Sequence, residues 1–213
     1  DSEKKALRLK IGRILLKNEG WEENLFDIVN HLNIGSELIT EEAEKKHLIE
    51  LNLQAGKRAK VSTAYKPSLE YLTQARIIIV SLGNSWNKYY ELTLSVYKEL
   101  AEVEYLNGNF EKSEELINVI LDNAKSDIEK ADAYRLLIIQ YTLSAKYTEA
   151  ISVLRKVMIV LNLELPREED YKVVIENEMN TIKTRLLNKK VETLVNEPEV
   201  TDPEKKIAIK LLT

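Results

Sequence analysis

Apolar residues recur along this chain at intervals of three and four, the period of a helix with one buried face. Leu7, Ile11, Ile14 and Leu15 form a first stripe and predict a helix from Glu3 to Lys17, ended by Asn18-Glu19-Gly20 with Gly20 as a left-handed cap. A second helix, about Glu22 to Leu32, carries Leu25, Phe26, Ile28, Val29 and Leu32, and Asn33-Ile34-Gly35-Ser36 breaks it. Thr40 is placed to cap a third helix that runs to about Val61 with Leu48, Leu51, Ala55 and Ala59 inward. Its partner starts near Pro67, which suits a first helical turn because it has no N–H to satisfy, and continues through Leu69, Leu72 and Ala75.

The pattern from Tyr97 to Leu161 contains one helical hairpin twice. Tyr97, Leu100 and Ala101 lead through Gly108-Asn109-Phe110 to Ser113, Ile117, Ile120 and Leu121. Tyr134, Leu137 and Ile138 lead through Ala145-Lys146-Tyr147 to Ala150, Leu154, Val157 and Met158. Nine residues separate the inner position, Ala101 or Ile138, from the aromatic Phe110 or Tyr147, with a small residue three further on and an apolar one seven further on. The earlier helix pair fits the same frame through Gly56, Tyr65, Ser68 and Leu72. The aromatics at 65, 110 and 147 are then 45 and 37 residues apart, and the turn formers Ser81-Leu82-Gly83-Asn84-Ser85 accommodate the longer interval. The shorter spacing is near the roughly 34 residues of the tetratricopeptide (TPR) unit.

Beyond the third copy, Leu165-Pro166 closes its second helix. A helix from Glu168 to Asn188 is predicted with Tyr171, Val174, Ile175, Met179, Ile182 and Leu186 inward. A short helix through Val191, Leu194 and Val195 follows, then a break at Glu197-Pro198. Thr201-Asp202-Pro203-Glu204 starts a last helix through Ile207 and Leu211. The expected architecture is all-α: TPR-like antiparallel hairpins stacked as a right-handed superhelix, an α-solenoid. It forms one domain over 1–213, with pairs at about 41–80, 86–124 and 127–162 and flanking helices in 3–34 and 167–213. The missing initiator Met and the apolar stop at Thr213 mark an expected fragment of a longer protein whose array continues.

Composition narrows the class. Apolar residues at 44% and charged ones at 31%, with six Gly and four Pro, suit long helices in a folded protein. The longest apolar runs, Ile77 to Val80 and Val157 to Leu161, are far short of the roughly 18 residues a membrane span needs. The polar start Asp1-Ser2-Glu3-Lys4-Lys5 has no secretion signal, so the expected location is the cytoplasm. The absence of cysteine excludes disulfides and thiolate chemistry, and a net charge of −4 argues against nucleic-acid binding.

Candidate chemistry is sparse. Leu51 stands where a Walker loop ending in Gly56-Lys57 needs glycine, and Arg58 replaces its hydroxyl residue. His31 and His47 lie on different elements without a second ligand at helical spacing. Carboxylate pairs such as Glu114-Glu115 and Glu168-Glu169 have the density of solvated helix faces. No catalytic residue, metal ligand or cofactor site is assigned. Two basic groups, Lys57-Arg58-Lys60 and Lys189-Lys190, are either solvated faces or docking points for an acidic peptide or phosphate.

In a TPR array the first helix of each pair lines the groove, which selects Lys57, Lys60, Lys98, Glu102, Tyr105, Arg135 and Ile139 as a partner-binding face. Tyr105 is equally readable as a core aromatic. The two-carboxylate clamp of chaperone-binding TPR domains needs asparagine one turn after Lys98. Glu102 stands there and would repel a C-terminal carboxylate.

Longer stretches add a resemblance. Leu9-Lys10-Ile11-Gly12-Arg13-Ile14-Leu15-Leu16, Leu25-Phe26-Asp27-Ile28-Val29-Asn30-His31-Leu32-Asn33 and Gly35-Ser36-Glu37-Leu38-Ile39 come first. Leu51-Asn52-Leu53-Gln54-Ala55-Gly56-Lys57-Arg58-Ala59-Lys60, Ser62-Thr63-Ala64-Tyr65 and Val200-Thr201-Asp202-Pro203-Glu204-Lys205 follow in order. Over residues 7 to 213 the chain resembles the TPR-like region of large bacterial multi-domain signalling kinases. There the region follows a Ser/Thr-kinase-like domain and an AAA/STAND ATPase module and precedes a GAF sensor and a histidine kinase or other output domain. Pro67 departs from the small helix former usual in that family. The resemblance implies a non-catalytic interaction and regulatory scaffold whose partners are neighbouring domains or a protein or peptide, while the acidic net charge is the ground for expecting no nucleic acid. A free-standing TPR adaptor is the alternative, and a helical enzyme the reading with least support.

Overall fold

The computed structural model describes residues 2–163, 165–187 and 199–212, and among these the regular structure is helical, with no strand. The predicted short helix at 191–195 and the Lys189-Lys190 pair lie outside the described residues. The chain divides into two compact units, Asp1–Ala124 and Lys125–Thr213.

The first unit opens with α1 (Ser2–Leu15) and α2 (Leu25–Ile34), joined through a 3-10 turn at Trp21–Asn24. Gly20 does adopt the left-handed conformation, with φ 71°. The first stripe, however, is rotated from the sequence reading: Leu7 and Ile14 are exposed, and Leu9 and Gly12 are buried instead. Glycine explains the rotation. A Cβ on Gly12 would lie 2.7 Å from Leu32 Cδ2, so only a bare backbone lets α1 approach α2 so closely.

Next come α3 (Glu42–Val61) and α4 (Tyr65–Ser81). Leu48, Leu51, Ala55 and Ala59 are all buried as their spacing predicts. Thr40 is not the cap of α3: Glu41 holds that position in extended conformation, and no side chain caps it. The start of α4 lies near Pro67 as expected, two residues before it. The helix starts at Tyr65, and Pro67 remains within the first turn, where its missing N–H costs nothing. Between α2 and α3 the side chains of Asn33 and Asn52 exchange two amide hydrogen bonds of 2.8 Å each. A tight turn through Gly83 and Asn84, both at positive φ, leads into the short helix α5 (Ser85–Lys88). The hairpin α6 (Tyr90–Leu106) and α7 (Phe110–Asn123) completes the unit.

The second unit starts with α8 (Asp127–Leu143), whose N-terminus carries a capping box. Glu129 N–H donates to Ser126 Oγ at 3.2 Å, and Ser126 N–H donates to Glu129 Oε2 at 3.0 Å. Then follow α9 (Tyr147–Val160), α10 (Tyr171–Leu186) and α11 (Pro203–Leu212). Asp202 Oδ1 accepts from Glu204 N–H at 2.9 Å, so the cap-and-proline start of α11 is present. Ile207, Ala208 and Leu211 of α11 are buried with Ala131 of α8 and Val157 of α9. The stripe assigned inward on α10 is corrected: no residue of α10 is buried, and Ile175, Met179 and Ile182 are 49–61% exposed. Periodicity reports that a helix has an apolar face; it does not report that something covers it.

The three hairpins share their turn geometry as well as their spacing. Each connection is three residues long, and its middle residue, Thr63, Gly108 or Ala145, takes a positive φ of 58°, 82° or 57°. In each, the next N–H reaches back five residues: Ala64 to Ala59 O at 2.9 Å, Asn109 to Glu104 O at 2.9 Å, and Lys146 to Tyr141 O at 2.8 Å. This is the Schellman closure of a helix end. In the first two copies the small residue of the second helix also bonds the first. Ser68 Oγ donates to Gly56 O at 2.7 Å and Ser113 Oγ to Ala101 O at 2.8 Å.

Candidate interaction surfaces

Five of the seven groove residues lie on α3 and α6 of the first unit. Lys57 and Lys60 occupy successive turns of α3 and face Glu99 and Glu102 of α6. Lys60 Nζ is 2.7 Å from Glu99 Oε2 and 2.8 Å from Glu102 Oε2, while Lys57 Nζ is 3.7 Å from Glu99 Oε1. Burial lowers the Lys60 pKa, but hydrogen bonds to Glu102 and Glu99 and their charges outweigh it, so its net shift is upward. Glu102 is thus paired with a lysine of its own chain. Sequence reading missed Glu99, although it lies one turn before Glu102 on the same face of α6 and so also within reach of Lys60.

Lys98 is half-buried on α6. Tyr105 packs its ring at 5.8 Å from Phe110, and burial raises its pKa. A separate hollow of about 600 Å³ lies between α2 and α4, bordered by Asn30, Asn33, Glu70 and Gln74 together with Ile34 and Leu69. Tyr71 donates to Asn30 Oδ1 there at 3.0 Å.

Arg135 and Ile139, the remaining two groove residues, belong to the second unit and border a different concavity. It holds about 480 Å³ between α8, α9 and α11. Ile138, Ile139 and Leu143 of α8 form one wall, Tyr147, Ile151 and Leu154 of α9 the opposite wall, and Leu211 and Leu212 an end. Leu143 is 71% exposed and Tyr147 61%, so a continuous apolar strip faces solvent. Arg135 and Lys210 give it a basic rim, with Arg135 Nε held 3.2 Å from Asp132. Such a trough can take the apolar side of a helix or extended peptide. Sequence reading found Arg135 and Ile139 because they lie on the first helix of a pair. It missed the α9 and α11 contributions, which come from tertiary packing.

Among the described residues, no group of three or more His, Asp or Glu side chains is arranged to hold a metal ion. No described helix is long and apolar enough to cross a membrane.

The chain is similar to the hybrid signal transduction histidine kinase G of Dictyostelium discoideum, at 27% identity over 222 residues. The similarity takes in 91% of this chain, which spans about 6% of that relative's length. No protein-family model matches, and no solved structure does. The relative is eukaryotic, so it lends no support to the bacterial setting implied by the sequence resemblance.

Proposed function

We propose that this chain is a non-catalytic interaction and regulatory scaffold within a multi-domain signalling kinase, coupling an ATPase module to output domains. The observation that carries the reading is the similarity to a signal transduction histidine kinase across nearly the whole chain but only a small part of the relative. That proportion is what an internal module of a large signalling protein has. The three matched hairpins support reading the repeats as TPR-like units, and a right-handed superhelical array of them is part of the proposal. The exposed apolar trough on α8, α9 and α11 supplies a surface for a neighbouring domain or a protein ligand.

The test is made in the longer reading frame. Deleting residues 1–213 from it should uncouple nucleotide turnover from phosphoryl output while each isolated activity persists. Unchanged coupling, or turnover of nucleotide by residues 1–213 alone, would overturn the reading. A reading frame that ends near both limits of this chain would favour the free-standing adaptor.

A further inference from the structure

The apolar face of α10 has a repeat that its surroundings do not use. Ile175, Met179, Ile182 and Leu186 recur at four, three and four residues, the spacing of a two-heptad seam. All four are 39–61% exposed. On the opposite side, the Thr181 and Thr184 hydroxyls donate to the carbonyls of Asn177 and Asn180 on their own helix. That side also carries the single exposed Val173, but only the seam repeats apolar residues along the helix, so the seam is the larger apolar face left to be covered.

The charges beside the seam select the occupant. Glu176 and Glu178 flank its first half, and Lys183 and Arg185 flank its second, with no ion pair to any of the four among the described residues. When a second α10 is laid antiparallel, Ile175 meets Leu186 and Met179 meets Ile182. The same register sets Glu176 beside Lys183 of the second copy and Glu178 beside Arg185. Twofold symmetry repeats both, so four opposite-charge pairs flank an apolar seam. Parallel pairing gives only the Glu178–Lys183 pairs and leaves Glu176 and Arg185 unmatched.

We infer that the α10 seam is a self-association surface that pairs two copies of this chain as an antiparallel, twofold helix dimer. The inference is independent of the signalling reading. With 16 residues, α10 offers a short seam, so the dimer forms in a concentration-dependent equilibrium.

Light scattering on the 213-residue chain should show a mass rising from 24.6 kDa toward twice that value with concentration. Met179→Glu/Ile182→Glu should remain monomeric with an unchanged melting temperature, because both side chains are exposed. Lys183→Glu/Arg185→Glu and Glu176→Lys/Glu178→Lys should each dimerise at least tenfold more weakly alone and recover when mixed. The chain has no cysteine, so introduced thiols report orientation cleanly. Ile175→Cys chains mixed with Leu186→Cys chains should form a disulfide-linked dimer that neither forms alone. A monomer at every concentration, self-crosslinking of Ile175→Cys, or wild-type dimerisation of the glutamate variant would each overturn the inference.

Discussion

The hydroxyl of Ser113 donates to the carbonyl oxygen of Ala101 at 2.8 Å and ties the two helices of a hairpin together inside the fold. Ser68 and Gly56 make the same bond one copy earlier. Ser113 is 1% exposed, so water cannot substitute for the lost donor. Ser113→Ala should cost about 1 kcal/mol, and Ser68→Ala a similar amount, in urea unfolding. In the third hairpin Ala150 holds the matching place, and Ala150→Ser should leave stability unchanged or raise it.

Gly56 is the one glycine among the three inner positions, and it is closely enclosed. A Cβ there would lie 2.6 Å from Leu72 Cγ, and Leu72 is fully buried with nowhere to move. Gly56→Ala should therefore destabilise by about 1–3 kcal/mol despite the better helix propensity of alanine. Thermal unfolding would check it. A neutral or higher melting temperature would mean that α3 and α4 can separate freely.

Ala145 sits at φ 57° where the second hairpin has Gly108 at φ 82°. An L side chain in that region crowds its own carbonyl. Ala145→Gly should stabilise by about 0.5–1 kcal/mol net, the relief of strain exceeding the added freedom of the unfolded chain. Chemical denaturation of the two chains decides this. Destabilisation would show that the strain has been relaxed locally.

Lys60 joins two carboxylates, and its side chain is only 18% exposed. Lys60→Met should leave Glu99 and Glu102 facing each other and cost about 1.5 kcal/mol at neutral pH. Because the folded-state pKa is raised, the lysine's contribution is whole below the ordinary value of about 10.4 and fades as pH rises through the folded value. The stability gap between wild type and variant should thus be constant from pH 7 to about 10 and narrow above it. A gap that instead widens at high pH would contradict this assignment.

Much of the helical framework was legible because several signals agreed. The offsets linking Gly56, Ala101 and Ile138 to their turn aromatics predicted three hairpins, and all three are present. The first stripe was misread because the position that matters on α1 is a glycine, which hydrophobic spacing does not register. Ser126 and Glu129 have the capping-box spacing, a polar signal that the apolar pattern does not register. The basic Lys57 and Lys60 were visible, but their neutralisation by Glu99 depends on how α3 meets α6. Likewise the trough by Ile139 is built partly from Leu211 and Leu212, about 70 residues away in the chain.

The reciprocal amide pair of Asn33 and Asn52 has a consequence for uniqueness rather than strength. Asn52 is fully buried, yet an apolar residue of similar size would contribute as much or more to stability. Two amides that are each other's donor and acceptor can close at only one axial offset of α2 against α3. A slide of one turn would leave Asn52 buried without its partner. Replacing the two together by leucine should therefore leave the chain compact while loosening the choice among neighbouring packings. Broadened amide resonances around both helices would report that loss. The pair acts as a key cut for one position of its lock.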